Sequence, residues 1–224
     1  MPNIRVTAFR WVPPPFQGQV RDLAVRWALE EAGVPYEMKL LAPEDQDTPE
    51  YRAWHPFGKV PAYEEDGFQL FESGAIVLHI AEGKSAEGTA LLPADRAARA
   101  RVVAWVIAAL NSVDPDIIAL GDIDHFAADE AWGKQRRPAL AGMVQTRLNA
   151  VAAHLAGRDY LVDQFSAADI MMITILRALR HTTLVSDIPD LRSYRDRCEA
   201  RPAFQRALAA QLDTFARHAP AAKS

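Results

Sequence analysis

Val60-Pro61-Ala62-Tyr63-Glu64-Glu65-Asp66-Gly67-Phe68-Gln69-Leu70-Phe71-Glu72-Ser73-Gly74-Ala75-Ile76 is the stretch on which the fold turns. Two short apolar runs, Val60 to Tyr63 and Phe68 to Phe71, flank Asp66-Gly67, a strong hairpin signal. Ser73 then begins a helix, Gly74 to about Ala81. Pro61 opens its strand and has no N–H for the ladder. A cis bond at Pro61 would turn the chain sharply and leave the preceding backbone as a half-paired edge. Such an edge can pair with a bound peptide. At the helix start, free N–H groups and the dipole favour a carboxylate, and Glu72 could pair with an ammonium group. A peptide with both an α-carboxylate and an α-amino group would fit. The plainer alternative stays open: Ser73 is only a cap and Glu72 only a solvated charge.

Upstream, Ile4 to Phe9 alternates apolar and polar residues and reads as a strand. Trp11 to Gly18, with Pro13-Pro14-Pro15, reads as a loop. Val20, Leu23, Ala24, Trp27 and Ala28 share one helical face, and Gly33 stops that helix before Pro35. Tyr36 to Leu41 is a second strand, and Pro43 to His55 is irregular with one helical turn. The order βαβ then ββα makes a small mixed sheet with helices on it.

Downstream, Gly83 to Leu92 reads as a linker and the remainder as helical. Asp95 caps a helix through Trp105 to about Val113, which Asp114-Pro115 should end or kink. Pro138 is expected at the first position of the next helix, which Gly157 closes. Ser166-Ala167-Ala168-Asp169 is a capping-box pattern opening an all-apolar buried helix, Ile170 to Leu176. Two amphipathic segments follow, split by Pro202. The division is 1–82, a linker 83–94, and an all-helical part 95–224.

The composition excludes several classes. The 224 residues carry 25 Lys and Arg against 29 Asp and Glu, a formal charge of −4. That argues against nucleic acid as a partner. Half the chain is hydrophobic, which excludes wholesale disorder. The single cysteine, Cys198, allows no CxxC pair or disulfide framework, and is read as packing. The six histidines show no metal-ligand spacing, so no metal is expected. Gly83-Lys84-Ser85 resembles the end of a P-loop, but Leu78 stands where its first glycine is required. With no leader pattern, and with Ile170 to Leu176 far too short to cross a bilayer, the expectation is a cytoplasmic protein without a membrane partner.

Val60-Pro61 followed by Glu72-Ser73-Gly74-Ala75-Ile76 resembles the glutathione-binding signature of cytosolic glutathione transferases. Trp27 to Glu37 is similar to their first helix and second strand, and Ser166 to Asp169 and Arg201-Pro202-Ala203 match their C-terminal features. The resemblance runs over nearly the whole chain, as a bacterial member of no assigned class. It implies a thioredoxin-like N-terminal domain, an all-α C-terminal domain and a homodimer. It implies glutathione as co-substrate, its thiolate attacking a small hydrophobic electrophile held between the domains. Val60 would pair with the cysteinyl part of glutathione, Pro61 would be cis, and Glu72 and Ser73 would hold the γ-glutamyl end. Lys59 and His55 lie where the family binds the glycyl carboxylate. His55 replaces the usual Asn, and Lys59 reads equally as a surface lysine.

One departure matters. Family members place a Tyr, Ser or Cys beside the glutathione sulfur, yet residues 8–22 contain no Ser, Thr, Tyr or Cys. Ungapped counting puts Gln19 there. A free thiol has a pKa of about 8.5, and a helix N-terminus contributes roughly 0.3–1 kcal/mol to an anion, less than about one pKa unit. Further stabilisation must come from the backbone N–H of Gln19 or Val20, the amide of Gln17 or Gln19, or Arg10 or Arg21. A charge-assisted hydrogen bond adds roughly 1.5–3 kcal/mol, so activation without a hydroxyl is feasible. Gln17 and Gln19 read equally as loop and cap residues. Trp11, Phe16 and Trp105 are candidates to line the electrophile pocket, and such aromatics are as readily core. The competing function is a non-catalytic binding or interaction protein, or a glutathione-dependent disulfide reductase. The electrophile and the dimer interface have no readable signature.

Overall fold

A computed structural model describes residues 3–83 and 90–220. Much of the linker expectation, with Lys84 and Ser85, lies outside the described residues. The chain forms two compact units, Met1–Leu91 together with Arg201–Ser224, and Leu92–Ala200.

In the first unit, β1 (Ile4–Phe9) is followed by α1 (Asp22–Ala32), β2 (Glu37–Leu41), α2 (Pro49–Trp54), β3 (Ala62–Glu65), β4 (Phe68–Phe71) and α3 (Ser73–Glu82). The four-stranded sheet runs β2-β1-β3-β4. β1 pairs parallel with β2 (Val6 opposite Met38) and antiparallel with β3 (Val6 opposite Tyr63), while β3 and β4 form the hairpin. A parallel neighbour requires a crossover, and α1 supplies it. α1 ends in a left-handed residue, Gly33 (φ 66°), whose N–H returns to Leu29 and Glu30.

The first unit also contains the last helix, α9 (Pro202–Arg217). It packs on α1 through Trp27 and Phe204, whose rings meet edge-on at 4.8 Å. Arg201 grips Glu31 with two bonds, 2.6 and 2.8 Å, and Trp27 Nε1 donates to the same carboxylate at 3.0 Å. Asp22 is fully buried, taking Arg26 Nε at 2.8 Å and Gln211 Nε2 at 2.7 Å. Burial pushes the Asp22 carboxyl up, with Arg26 and Gln211 opposing it.

The second unit contains α4 (Arg96–Ala108), α5 (Asp114–Phe126), α6 (Ala131–Leu155), α7 (Ala167–Leu176) and α8 (Pro189–Glu199). Asp114-Pro115 does not end the α4 helix. A π turn, Ala109–Val113, joins it to α5, with the Asp114 N–H reaching back to Ala109. Pro115 lacks an N–H, and the wider turn absorbs that loss. The continuous run Arg96–Phe126 is long and apolar enough to cross a membrane by composition, a test that core helices also pass. Here it packs on α6 and α7. Pro138 does not start α6 but lies inside it. Residues 134–139 are all exposed, so the carbonyl left without a donor faces water. The helix begins earlier because Gly133 fits against Ala127, where a Cβ would approach the carbonyl oxygen to 2.1 Å. α7 is buried throughout, and its capping box forms as the sequence indicates.

Candidate functional site

Eleven of the twelve residues singled out in the sequence lie in the first unit, and Trp105 belongs to the second. The Val60–Pro61 bond is cis. Val60 is buried with Leu41, Tyr51 and Ala62, and Val20 packs on the same cluster. The turn before α1 therefore adjoins the apolar cluster that holds Val60. Neither the N–H nor the C=O of Val60 has a hydrogen-bond partner among the described residues. Buried backbone groups are nearly always paired, so an edge residue with both groups open stands out.

The flanking backbone is firmly held. The Ala62 N–H donates to Thr7 Oγ1 at 2.7 Å, the Thr7 and Tyr51 hydroxyls lie 2.9 Å apart, and Tyr51 Oη donates to the Lys59 carbonyl at 2.6 Å. Thr7 and Tyr51 are buried, and burial pushes the Tyr51 hydroxyl's pKa up, keeping its proton. Gly58 shapes the same loop. Its φ is +61°, and a Cβ there would lie 2.7 Å from the Gln46 carbonyl oxygen.

Glu72 and Ser73 sit where β4 passes into α3. Glu72 is exposed and has φ 71° and ψ 115°, outside the regions a side-chain-bearing residue prefers. Such conformations cost of order 1–3 kcal/mol and concentrate at functional sites. Ser73 is the first helical residue and is buried. Its hydroxyl has no partner among the described residues, so it is not serving as a cap. His55 is buried at the end of α2, with Phe57 and Phe71 against its ring. The Phe57 N–H donates to His55 Nδ1 at 3.3 Å, which requires a lone pair there. Burial pushes the His55 pKa down; Glu72 pulls it up and Lys59 down. Lys59 is exposed.

The loop before α1 is only partly open. Gln17 Nε2 donates to Val12 O at 3.0 Å, and Gln19 Nε2 to Pro15 O at 2.7 Å. The Gln19 backbone N–H goes to Phe16 O at 3.3 Å. Gln19 Oε1 is buried with no partner. The Val20 N–H has no acceptor among the described residues, while its C=O takes Leu23 N–H and Gln211 Nε2. Of the two backbone donors named from sequence, Gln19 is committed and Val20 is free. Trp11 and Phe16 are half-buried in this loop. Trp105 lies on α4 with its ring 4.5 Å from that of His154. Sequence reading missed Thr7 and Tyr51. Thr7 takes a polar position of an alternating strand, so nothing marked it as buried, and Tyr51 offered no signal either.

The family described as glutathione S-transferase, N-terminal domain, matches residues 15–82, and that described as glutathione S-transferase, C-terminal domain, matches 123–202. Glutathione S-transferase 4 of Zea mays is 32% identical over 209 residues, covering 88% of this chain and 89% of that protein. Among solved structures, a glutathione transferase from Burkholderia graminis with two glutathione molecules bound per subunit is 30% identical, with a TM-score of 0.79 over 93% of this chain and 88% of that one. A glutathione transferase from Pseudomonas putida with one glutathione disulfide per subunit is 25% identical, with a TM-score of 0.77 over 92% and 90%.

Proposed function

The chain belongs to the glutathione S-transferase family, with its glutathione-binding fold, and from that premise we propose that it binds glutathione and uses the thiolate on a small electrophile. The observation that carries the reading is the open main chain of Val60. An extended peptide laid antiparallel to it gains two backbone hydrogen bonds without displacing any. The γ-glutamyl carboxylate then takes the Ser73 hydroxyl and the N–H groups of α3, while Glu72 takes the ammonium group. Lys59, and the His55 ring beside it, face the glycyl carboxylate.

The thiol falls beside Val20, on the side of the cluster shared with Val60. The Val20 N–H and the dipole of α1 favour thiolate. Gln19 Oε1 opposes them, because an acceptor stabilises S–H. The net expectation is a thiol pKa lowered modestly from its free value of about 8.5, by roughly one unit. Thiolate absorbance of the bound tripeptide, titrated against pH, tests this. A curve superimposable on free glutathione would leave a binding protein without catalysis.

A second reading is favoured by the relatives with two glutathiones or glutathione disulfide bound. Here the thiolate attacks the glutathione sulfur of a mixed disulfide, forming glutathione disulfide and releasing the partner thiolate. No protein cysteine is needed, and Cys198 is fully buried. Conjugation of a halonitrobenzene against reduction of a glutathione mixed disulfide separates the two reactions. A homodimer is also proposed, supported by exposed aromatics such as Phe57 and Phe126, and light scattering checks it.

A further inference from the structure

The hydrogen bonds around Val60–Pro61 have a fixed direction. The Ala62 N–H can only donate, so Thr7 Oγ1 accepts from it at 2.7 Å. The Lys59 carbonyl can only accept, so Tyr51 Oη donates to it at 2.6 Å. The remaining contact, 2.9 Å between the two hydroxyls, must then run from Thr7 O–H to Tyr51 Oη. Each hydroxyl both gives and receives. The chain is buried at both side chains, so water does not compete for it. Its two ends fall on the residues immediately before and after Val60–Pro61.

We propose that Thr7 and Tyr51 are positioning residues for glutathione: one buried hydroxyl relay from β1 through α2 clamps the main chain on both sides of Val60–Pro61 and keeps the Val60 N–H and C=O turned outward. A loop whose carbonyl at Lys59 or amide at Ala62 lacked a partner would rotate to find one. The Lys59 carbonyl shares its peptide plane with the Val60 N–H, so such a rotation would re-aim the Val60 donor. The relay supplies the partners elsewhere and so reserves Val60 for the substrate. The inference rests on the glutathione reading of this edge, and neither residue touches the substrate.

The test uses the full-length protein and the variants Tyr51→Phe, Thr7→Val and Thr7→Ser. Glutathione binding is measured by calorimetry, and the KM for glutathione and kcat on whichever electrophile the wild type turns over. Tyr51→Phe removes the donor to Lys59, and Thr7→Val removes the acceptor for Ala62. Each should weaken glutathione binding and raise its KM about 5–10-fold, with kcat at saturating glutathione and the KM of the electrophile unchanged. Thr7→Ser should restore the wild-type constants. The double variant should lose no more than the worse single, because one relay is broken only once. Should one variant fail to fold, the other carries the test, since the two break opposite ends. Wild-type affinity in a folded Tyr51→Phe or Thr7→Val protein, or equal losses in kcat and in the electrophile's KM, would overturn the proposal. A wild-type protein that binds no glutathione would overturn the reading beneath it, a result visible before any variant is made.

Discussion

Two serines open helices in this molecule, and they are used oppositely. Ser166, at the start of α7, is closed on all sides. Its N–H donates to Asp169 Oδ2 at 2.9 Å, its hydroxyl approaches the same oxygen at 3.2 Å, and Ala168 N–H donates to it at 3.3 Å. Asp169 Oδ1 takes Leu161 N–H at 3.0 Å and the Tyr194 hydroxyl at 2.8 Å. Ser73, at the start of α3, has a hydroxyl without a partner, and the residue before it stands in a disfavoured conformation. Ser166 is the N-cap of α7 and Ser73 the first helical residue of α3; the same residue type at a helix start builds structure where its bonds are complete. Where they are open, as at Ser73, the residue is available to a ligand. Motif matching cannot make that distinction, because both serines sit in recognisable patterns; only the surrounding hydrogen bonds can.

Substitutions should separate the two. The largest effect is expected for Asp169→Ala, which leaves Leu161, Ser166 and Tyr194 without partners. A loss of about 3–5 kcal/mol of stability is expected, read by urea denaturation, with glutathione affinity unchanged in the folded fraction. Ser73→Ala should do the reverse. Affinity for immobilised glutathione should fall about tenfold, roughly 1.4 kcal/mol, with the urea midpoint essentially unmoved. Equal damage to stability would make Ser73 a second Ser166 and dissolve the contrast. Glu72→Gly sharpens the comparison further. It relieves the φ of 71° and should raise stability by about 1 kcal/mol while weakening glutathione retention. A loss of stability would mean that Glu72 is held there for the fold.

The smallest effect concerns pH. Burial holds the His55 pKa below its ordinary 6.5, so between those two values the unfolded chain binds more protons than the folded one. Stability from this group is complete above pH 6.5 and declines as pH falls through that window. Melting temperature followed from pH 7.5 to 5.5 should show the decline, and His55→Asn should reduce it.

The hairpin and the helix after it, on which the candidate site is built, were legible because they are local. Asp66-Gly67 between two apolar runs marks the hairpin, and a serine after the second strand marks α3. The prolines were less legible. Pro138 reads as a helix start, yet it lies inside α6; Asp114-Pro115 reads as an end or a kink, and the helical run continues there through a π turn. A π turn accommodates one, and an exposed helix surface accommodates the other. Neither accommodation has a sequence signature. Long-range pairings were equally silent. Thr7 meets Tyr51 across 44 positions, and Arg201 meets Glu31 across 170. The packing of α9 on α1 joins segments about as far apart, with no mark in either.

That last pairing has a consequence for how the protein comes into being. The unit bearing Val60 and Ser73 is completed by α9, so on the ribosome α1 must wait until residues 202–217 have emerged. Until then Trp27, Glu31 and Asp22 lack their partners Phe204, Arg201 and Gln211. The intervening unit, contiguous in sequence, is free to fold first. Ligand capture at Val60 should therefore arise only once α9 has emerged and docked on α1.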